Sequence, residues 1–452
     1  MNANISNVAD LDSQTVNSAT QIMRSTISKR HSAERRFRML GFAAVIFGIL
    51  ALFALLASIL YNGLSSFQQT YFTLEVHLDE QKLDKNGNRA PEDLAKIKTF
   101  TYAPLIAKSL EKLVLDNDIL IEELASKDIK KMISKEAPAA LRRLVLADPS
   151  LIGQTIKIDV LANGRIDGYY KGRVTMDTAE IDRNVSPGQL LLADELVKIG
   201  ALDTRFNLAF FTAPDASDTR PEAAGLGVAI LGSLYMMLVV LVLALPIGVA
   251  ASIYLEEFAP KNSFTDIIEV NISNLAAVPS IVFGILGLAM FINFVGLPQS
   301  APIVGGLVLT LMTLPTIIIS TRAALTAVPP SIREAALGVG ASKMQTVFHH
   351  VLPLAAPGIL TGTIIGLARA LGETAPLLLI GMVAFIKEFP SAPIDGLYDP
   401  ASALPIQVYN WTRGGDPAFA ERASGAIITL LVFLLIMNAT AIILRRRFER
   451  RW

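Results

Sequence analysis

Two charged residues inside an otherwise uncharged run are the best candidates for chemistry in this 452-residue chain. Arg369 and Glu373 lie in TGTIIGLARALGETAPLLLIGMV, four residues apart and so on one face of a helix. Arg369 is about 15 residues past the start of its run, roughly 22 Å along a helix axis. That depth falls within a hydrocarbon slab ~30 Å thick. A lone charge there costs between ~3 and ~15 kcal/mol, so such residues face a cavity or a partner and mark a pathway. The carboxylate keeps the site near neutral when empty, and the guanidinium donors suit a tetrahedral oxyanion through paired hydrogen bonds. The alternative is an ion pair that only fixes helix packing. Other chemistries are excluded or unsupported. With no cysteine there is no disulfide, Cys-ligated zinc or thiol chemistry. No G-x-x-x-x-G-K-[ST] occurs, so the chain carries no P-loop. His77 stands alone on a strand pattern and reads as a solvated side chain. Forty basic and forty acidic residues balance, which argues against a nucleic-acid partner.

The elements that must hold the pair are membrane helices. Half of the residues are hydrophobic (52%), gathered into long uncharged runs. Residues 1–38 read as a polar tail ending in a basic cluster (Lys29, Arg30, Arg35, Arg36, Arg38), and residues 39–61 as the first span. Arginines before that span and none close after it put the tail in the cytoplasm. Residues 62–222 change character. Phe72, Leu74, Val76 and Leu78 alternate with polar residues, as do Ile156, Ile158 and Val160. Helical spacing appears over 105–134 and 139–146, and Ser186 caps a helix over 187–200. These patterns predict a compact α+β domain outside the cytoplasm, with no metal constellation or nucleophile dyad in it.

The spans resume at 223. Residues 223–255 form the second, with small residues that favour close packing. Residues 270–321 carry no charge over a length that needs two spans, broken at Gly296–Pro302. Pro279 and Pro315 are expected to kink them. Arg322 reads as an anchor at a helix end. The fifth span begins near Leu354, and the sixth runs from about Ala423 to Leu444 before a basic C-terminus, 445–452, with Arg445, Arg446, Arg447, Arg450 and Arg451. The charge bias places both termini inside.

Between the fourth and fifth spans, 323–353 is a polar, helix-prone loop. It contains Glu334-Ala335-Ala336, then Gly340, then Leu352-Pro353. The alanines permit close approach, Gly340 a sharp turn, and Pro353 suits the first turn of a helix. This spacing resembles the signature loop of the membrane subunits of bacterial ABC importers, although His350 stands where that family usually has isoleucine. R-A-L-G-E-T-A-P-L-L at 369–378, N-L-A-A-V-P-S-I-V-F-G at 274–284 and Y-L-E-E at 254–257 are similar to the phosphate-importer permeases of the PstA type. The resemblance covers about 35–65 and 223–450, and not the inserted domain.

The resemblance implies an all-α polytopic membrane protein of the type I ABC importer permease kind. It would have six membrane helices, a permease core at 223–444 and an inserted extracytoplasmic α+β domain at 62–222. It implies the permease subunit of an inorganic-phosphate importer, in the cell inner membrane, that is a transport subunit and not an enzyme. It also implies a homologous permease partner (PstC type), two ATP-binding subunits (PstB type) docked on the loop, and a periplasmic phosphate-binding protein (PstS type). This chain would bind no cofactor, and ATP and Mg would sit on the ATPase. Another oxyanion, sulfate or molybdate, is the first alternative cargo. A membrane-anchored sensor is the second alternative and would need neither the loop nor the charged pair.

Overall fold

The computed structural model describes residues 4–448 except 85, 120, 122, 123, 218 and 391. Of residues 4–29, 444, 447 and 448 it describes the backbone alone. The chain falls into two compact units, Met1–Tyr61 and Asn62–Trp452. The described part of the first lies in one helix, α1, Asn4–Gly63. Where the sequence reading placed a tail at 1–38, the described part from Asn4 onward is helical. No glycine or proline interrupts the chain between Asn4 and Leu40, so nothing in its composition breaks the helix that the apolar segment continues.

The second unit opens with an α+β domain. Its sheet has three antiparallel strands in the order β2-β1-β3: β1 Gln68–His77, β2 Thr155–Leu161 and β3 Leu202–Phe206. Phe72, Leu74 and Val76 of β1 lie opposite Val160, Ile158 and Ile156 of β2. Phe72, Leu74, Val76 and Val160 are buried and the two isoleucines partly so, and helices α2 (Ala103–Asp116), α3 (Ala137–Ala147) and, after α4 (Gly164–Tyr170), α5 (Pro187–Lys198) supply the rest of this core. The single helix read over 105–134 is instead α2 followed by a separate turn at Ser126–Lys131. Asn117 closes α2 and Asp118 takes a left-handed conformation (φ 53°), which a helix cannot continue through. Ser186 caps α5 in a reciprocal arrangement with Gln189.

Among the described residues, five helices are long and apolar enough to cross a membrane, or six if one bent pair counts as a span. They include α6 (Gly227–Ile253), α9 (Pro302–Thr326), α11 (Leu352–Gly372) and, after the short α13 (Leu404–Thr412), α14 (Pro417–Phe448). The bent pair is α7 (Ser263–Ala276) and α8 (Ser280–Gly287, running on as wider turns to Phe294), which meet at 101°. The expected third span is therefore broken rather than kinked. Pro279 has no amide hydrogen to donate and disfavours helical backbone at Val278. The helices pack through small residues. A Cβ at Gly248 of α6 would stand 2.7 Å from Ile317 of α9, and one at Gly306 of α9 2.5 Å from Val239 of α6.

Candidate functional site

The polar loop begins where α9 ends. Pro329 and Pro330 start α10, Pro330–Gly338, a two-turn helix. Its C-terminus is a Schellman turn: Ala341 N–H donates to the carbonyl of Ala336 and Gly340 N–H to that of Leu337, both at 3.0 Å. Gly340 sits at φ 92°, so a side chain there would be strained. Ser342 then caps the next turn in a reciprocal pair with Gln345, and the chain widens over Thr346–Val351 before α11. Leu352 and Pro353 form the first turn of α11. Glu334, Ala335, Leu337 and Val339 are exposed, whereas Ala336 is buried. The two alanines therefore sit on different sides of α10, about 100° apart. Ala336 seats the helix and Ala335 shares the open face with Leu337 and Val339, 51% and 86% exposed. That face is apolar with an acidic edge, the character of a contact surface.

The loop is braced by residues outside it. Arg333 donates from Nη2 and Nε to Glu257 Oε1 at 2.7 and 3.1 Å. It also donates to the carbonyls of Leu325 at 2.9 Å and Val328 at 2.8 Å, closing the open end of α9. Glu257 lies in the wide turn Tyr254–Phe258 that ends α6. Beside it, Arg322 joins Glu256 at 3.3 Å to Glu269 of α7 at 2.8 Å. One ionic strip thus ties α10 to the ends of α6 and α9, and those in turn to α7. Sequence reading gave Arg322 an anchoring role but missed Arg333 and its partners. The signal was the Y-L-E-E run, whose two carboxylates sit at a helix end. Because α6 starts at the 62–222 domain and its 27 residues rise about 40 Å, the loop lies at the end of the bundle away from that domain.

Arg369 and Glu373 are placed differently from expectation. α11 ends at Gly372, and Glu373 is its C-cap in extended backbone, so the two residues do not share a continuous helix. The apolar tail of the expected fifth span folds back as α12, Ala375–Leu379, which packs on α8 with Pro376 against Gly284. Gly372 and Pro376 bracket the break. The side chains still meet, Nε to Oε1 at 3.8 Å. Gly366, Leu367 and Ala370 of α11 are buried, whereas the Arg369 side chain is 51% exposed. Arg369 therefore lies at the border of the buried face of α11, with half of its side chain open at the surface of this chain. Among the described residues no group of three or more metal-binding side chains gathers anywhere.

A bundle of membrane-crossing helices, broken near a charged pair and bearing a braced polar loop at one end, defines a multi-pass membrane permease. A family described as the inner membrane component of binding-protein-dependent transport systems matches residues 244–452. The Probable ABC transporter permease protein YqgI of Bacillus subtilis is 33% identical over 231 residues, spanning 48% of this chain and 78% of that protein. The phosphate transport permease PstA of Mycobacterium leprae is 33% identical over 216 residues, 48% of this chain and 69% of its own. PstA of Xylella fastidiosa (strain Temecula1) is 32% identical over 228 residues, 50% and 77%. This chain belongs to that family of ABC importer permeases and is an inner-membrane transport component. Membership implies partners of two general kinds, a substrate-binding protein and an ATPase. A second family, described only as a domain of unknown function, matches residues 24–180. A chain of the inward-facing methionine transporter MetNI is 18% identical with a TM-score of 0.38, over 49% of this chain and 97% of its own.

Proposed function

We propose that this chain is the permease subunit of an inorganic-phosphate importer and forms half of its pathway with a PstC-type partner. Two relatives named as phosphate permeases are similar to about half of the chain, and the family match over residues 244–452 spans Arg369 and Glu373. The single observation that carries the coupling role is the exposed, braced helix α10, at the end of the bundle away from the domain. PstB-type ATPases dock there against Glu334, Ala335 and the turn at Gly340, while Ala336, Leu352 and Pro353 seat the loop on the bundle. ATP and Mg are held by those subunits, and this chain binds no cofactor. Both termini and the loop are cytoplasmic. The 62–222 domain is periplasmic, where a PstS-type protein delivers substrate. Arg369, half exposed at the surface of its own bundle, contributes anion-binding donors to the pathway between the two permeases, with Glu373 balancing its charge. Of the basic end at 445–452, residues 449–452, with Arg450 and Arg451, lie outside the described residues, as do 1–3 of the N-terminal segment.

The test is cross-linking from Ala335→Cys or Leu337→Cys, which are exposed, rather than from Ala336, which is buried. An adduct with the ATPase is expected, and none with any ATPase would remove the docking claim. Uptake of labelled phosphate, sulfate and molybdate by the assembled transporter assigns the cargo. Phosphate uptake that Arg369→Gln abolishes supports this reading. Preference for sulfate or molybdate overturns the phosphate assignment alone.

A further inference from the structure

The junction between the 62–222 domain and the last span is built from charge. Arg422, in the first turns of α14, is 2% exposed. Its Nη2 donates to Gln69 Oε1 in β1 at 2.6 Å and to the carbonyl of Glu222 at 2.8 Å, and its Nη1 to the carbonyl of Ala224 at 3.3 Å. The guanidinium also lies 5.4 Å from the ring centre of Phe210. One side chain of α14 therefore holds both the central strand of the domain and the linker that leads into α6. Its neighbour Glu421 accepts from Lys171 Nζ at 3.0 Å and pairs with Arg173 through its other oxygen. Lys171 bonds Asp167 at 2.7 Å, and Asp167 in turn accepts from the Thr70 amide of β1 at 3.0 Å. The side chains of Lys171, Asp167 and Glu421 are 1%, 2% and 4% exposed. Ser66 Oγ donates to the backbone carbonyl of Glu421 at 2.8 Å.

Adhesion alone does not call for this. A buried ion network contributes no more than apolar residues of equal volume, because desolvation offsets the attraction. What it adds is register, since each donor meets its particular acceptors at fixed distances and any slip leaves a buried charge unpaired. The network also joins segments far apart in the chain, 353 positions between Gln69 and Arg422.

We propose that Arg422 and Glu421 are positioning residues that lock the 62–222 domain to the adjoining ends of the last span and of α6, so that domain and helix ends move as one body during transport. The domain is a fixed fitting of the permease and not a tethered module. The inference rests on the chain's being a permease and not on which anion it carries.

The chain has no cysteine, so engineered pairs can be spin-labelled directly. Lys112 of α2, Ala420 of α14 and Pro298 in the turn between α8 and α9 are all exposed. In the assembled transporter in nanodiscs, the pair Lys112→Cys/Ala420→Cys should give one narrow distance distribution, unchanged between ATP-bound and nucleotide-free states. The pair Lys112→Cys/Pro298→Cys reports whether the bundle itself has moved. Arg422→Met, which keeps an unbranched apolar stem and removes the guanidinium, should broaden the first distribution. It should also lower uptake per assembled complex at least tenfold while its ATPase rate is retained. Glu421→Gln should act in the same direction to a smaller extent. A first distribution that shifts with nucleotide in the native chain overturns the proposal, as does Arg422→Met leaving it narrow. Should both variants fail to assemble, the native-chain distances alone decide.

Discussion

Arg333 is the residue whose loss should separate ATP hydrolysis from transport. Its side chain is 23% exposed and that of Glu257 9%, so the pair is largely withdrawn from solvent. Arg333→Ala would leave a carboxylate that is mostly buried without its cation and strip two carbonyl acceptors of their donor. Breaking a buried pair by removing one partner costs about 3–5 kcal/mol. The residual exposure argues for the low end, about 3 kcal/mol, or roughly a hundredfold in the balance between seated and unseated α10. The first readout is amide exchange over 330–341 in the assembled transporter, which should accelerate by roughly that factor, since local opening sets the rate. The second is the number of anions moved per ATP, which should fall while the ATPase rate falls less. Arg333→Lys keeps the charge but not the two-pronged geometry, and should cost about 1 kcal/mol. The double substitution Arg333→Met/Glu257→Met should recover most of the loss, because an apolar pair leaves no orphaned ion. Strict additivity of the two single losses would refute the pairing, and unchanged exchange in Arg333→Ala would refute the brace.

Gly340→Ala should destabilise the loop by about 1 kcal/mol, because φ 92° is unfavourable for any residue with a Cβ, and Gly340→Asn by less. Cross-linking yield from Ala335→Cys in these backgrounds checks the order. Glu222 titrates above the usual carboxylate range, chiefly because burial disfavours its charged form, with the Ser134 hydroxyl 2.5 Å away opposing the shift. A raised folded-state value means that its contribution to stability is fully present below the ordinary value of 4.5 and is lost as pH rises through the shifted one. Glu222→Gln should therefore flatten the fall in melting temperature as pH rises above 4.5, and an unchanged slope would contradict this. Arg369→Gln should leave assembly and melting temperature unchanged, because its side chain is half exposed in this chain, while uptake falls at least tenfold. A matching loss of assembled complex would instead make Arg369 a packing residue.

What the sequence discloses here divides along a physical line. Features set by neighbours a few residues away are readable. Phe72, Leu74, Val76 and Leu78 alternate in the sequence and are buried in and just after β1 because a strand has period two. Ser186 and Gln189 are spaced for a cap. Uncharged runs of sufficient length mark spans, because few other environments accept them. What such a run does not disclose is its path. The stretch around Pro279 is as apolar as a straight helix, and that around Gly372 reads as one span apart from its charged pair, yet each breaks, and composition alone does not give a bend of 101° at the first. β3 escapes notice for a related reason: of its five residues only Leu202 is buried, so there is no alternation to see. The ionic joints are the least legible, because Arg333 and Arg422 lie in stretches whose charge reads equally well as a solvated loop. Their partners come from α6, β1 and the linker before α6, and only the tertiary fold brings them together. In this chain those joints stand at both ends of α6, one under the domain and one under α10. A rigid helix fastened by buried ions at either end can carry displacement between the domain face and the loop face without melting. The two arginines should therefore fail alike: each substitution leaves the helices folded and uncouples one face from the bundle between them.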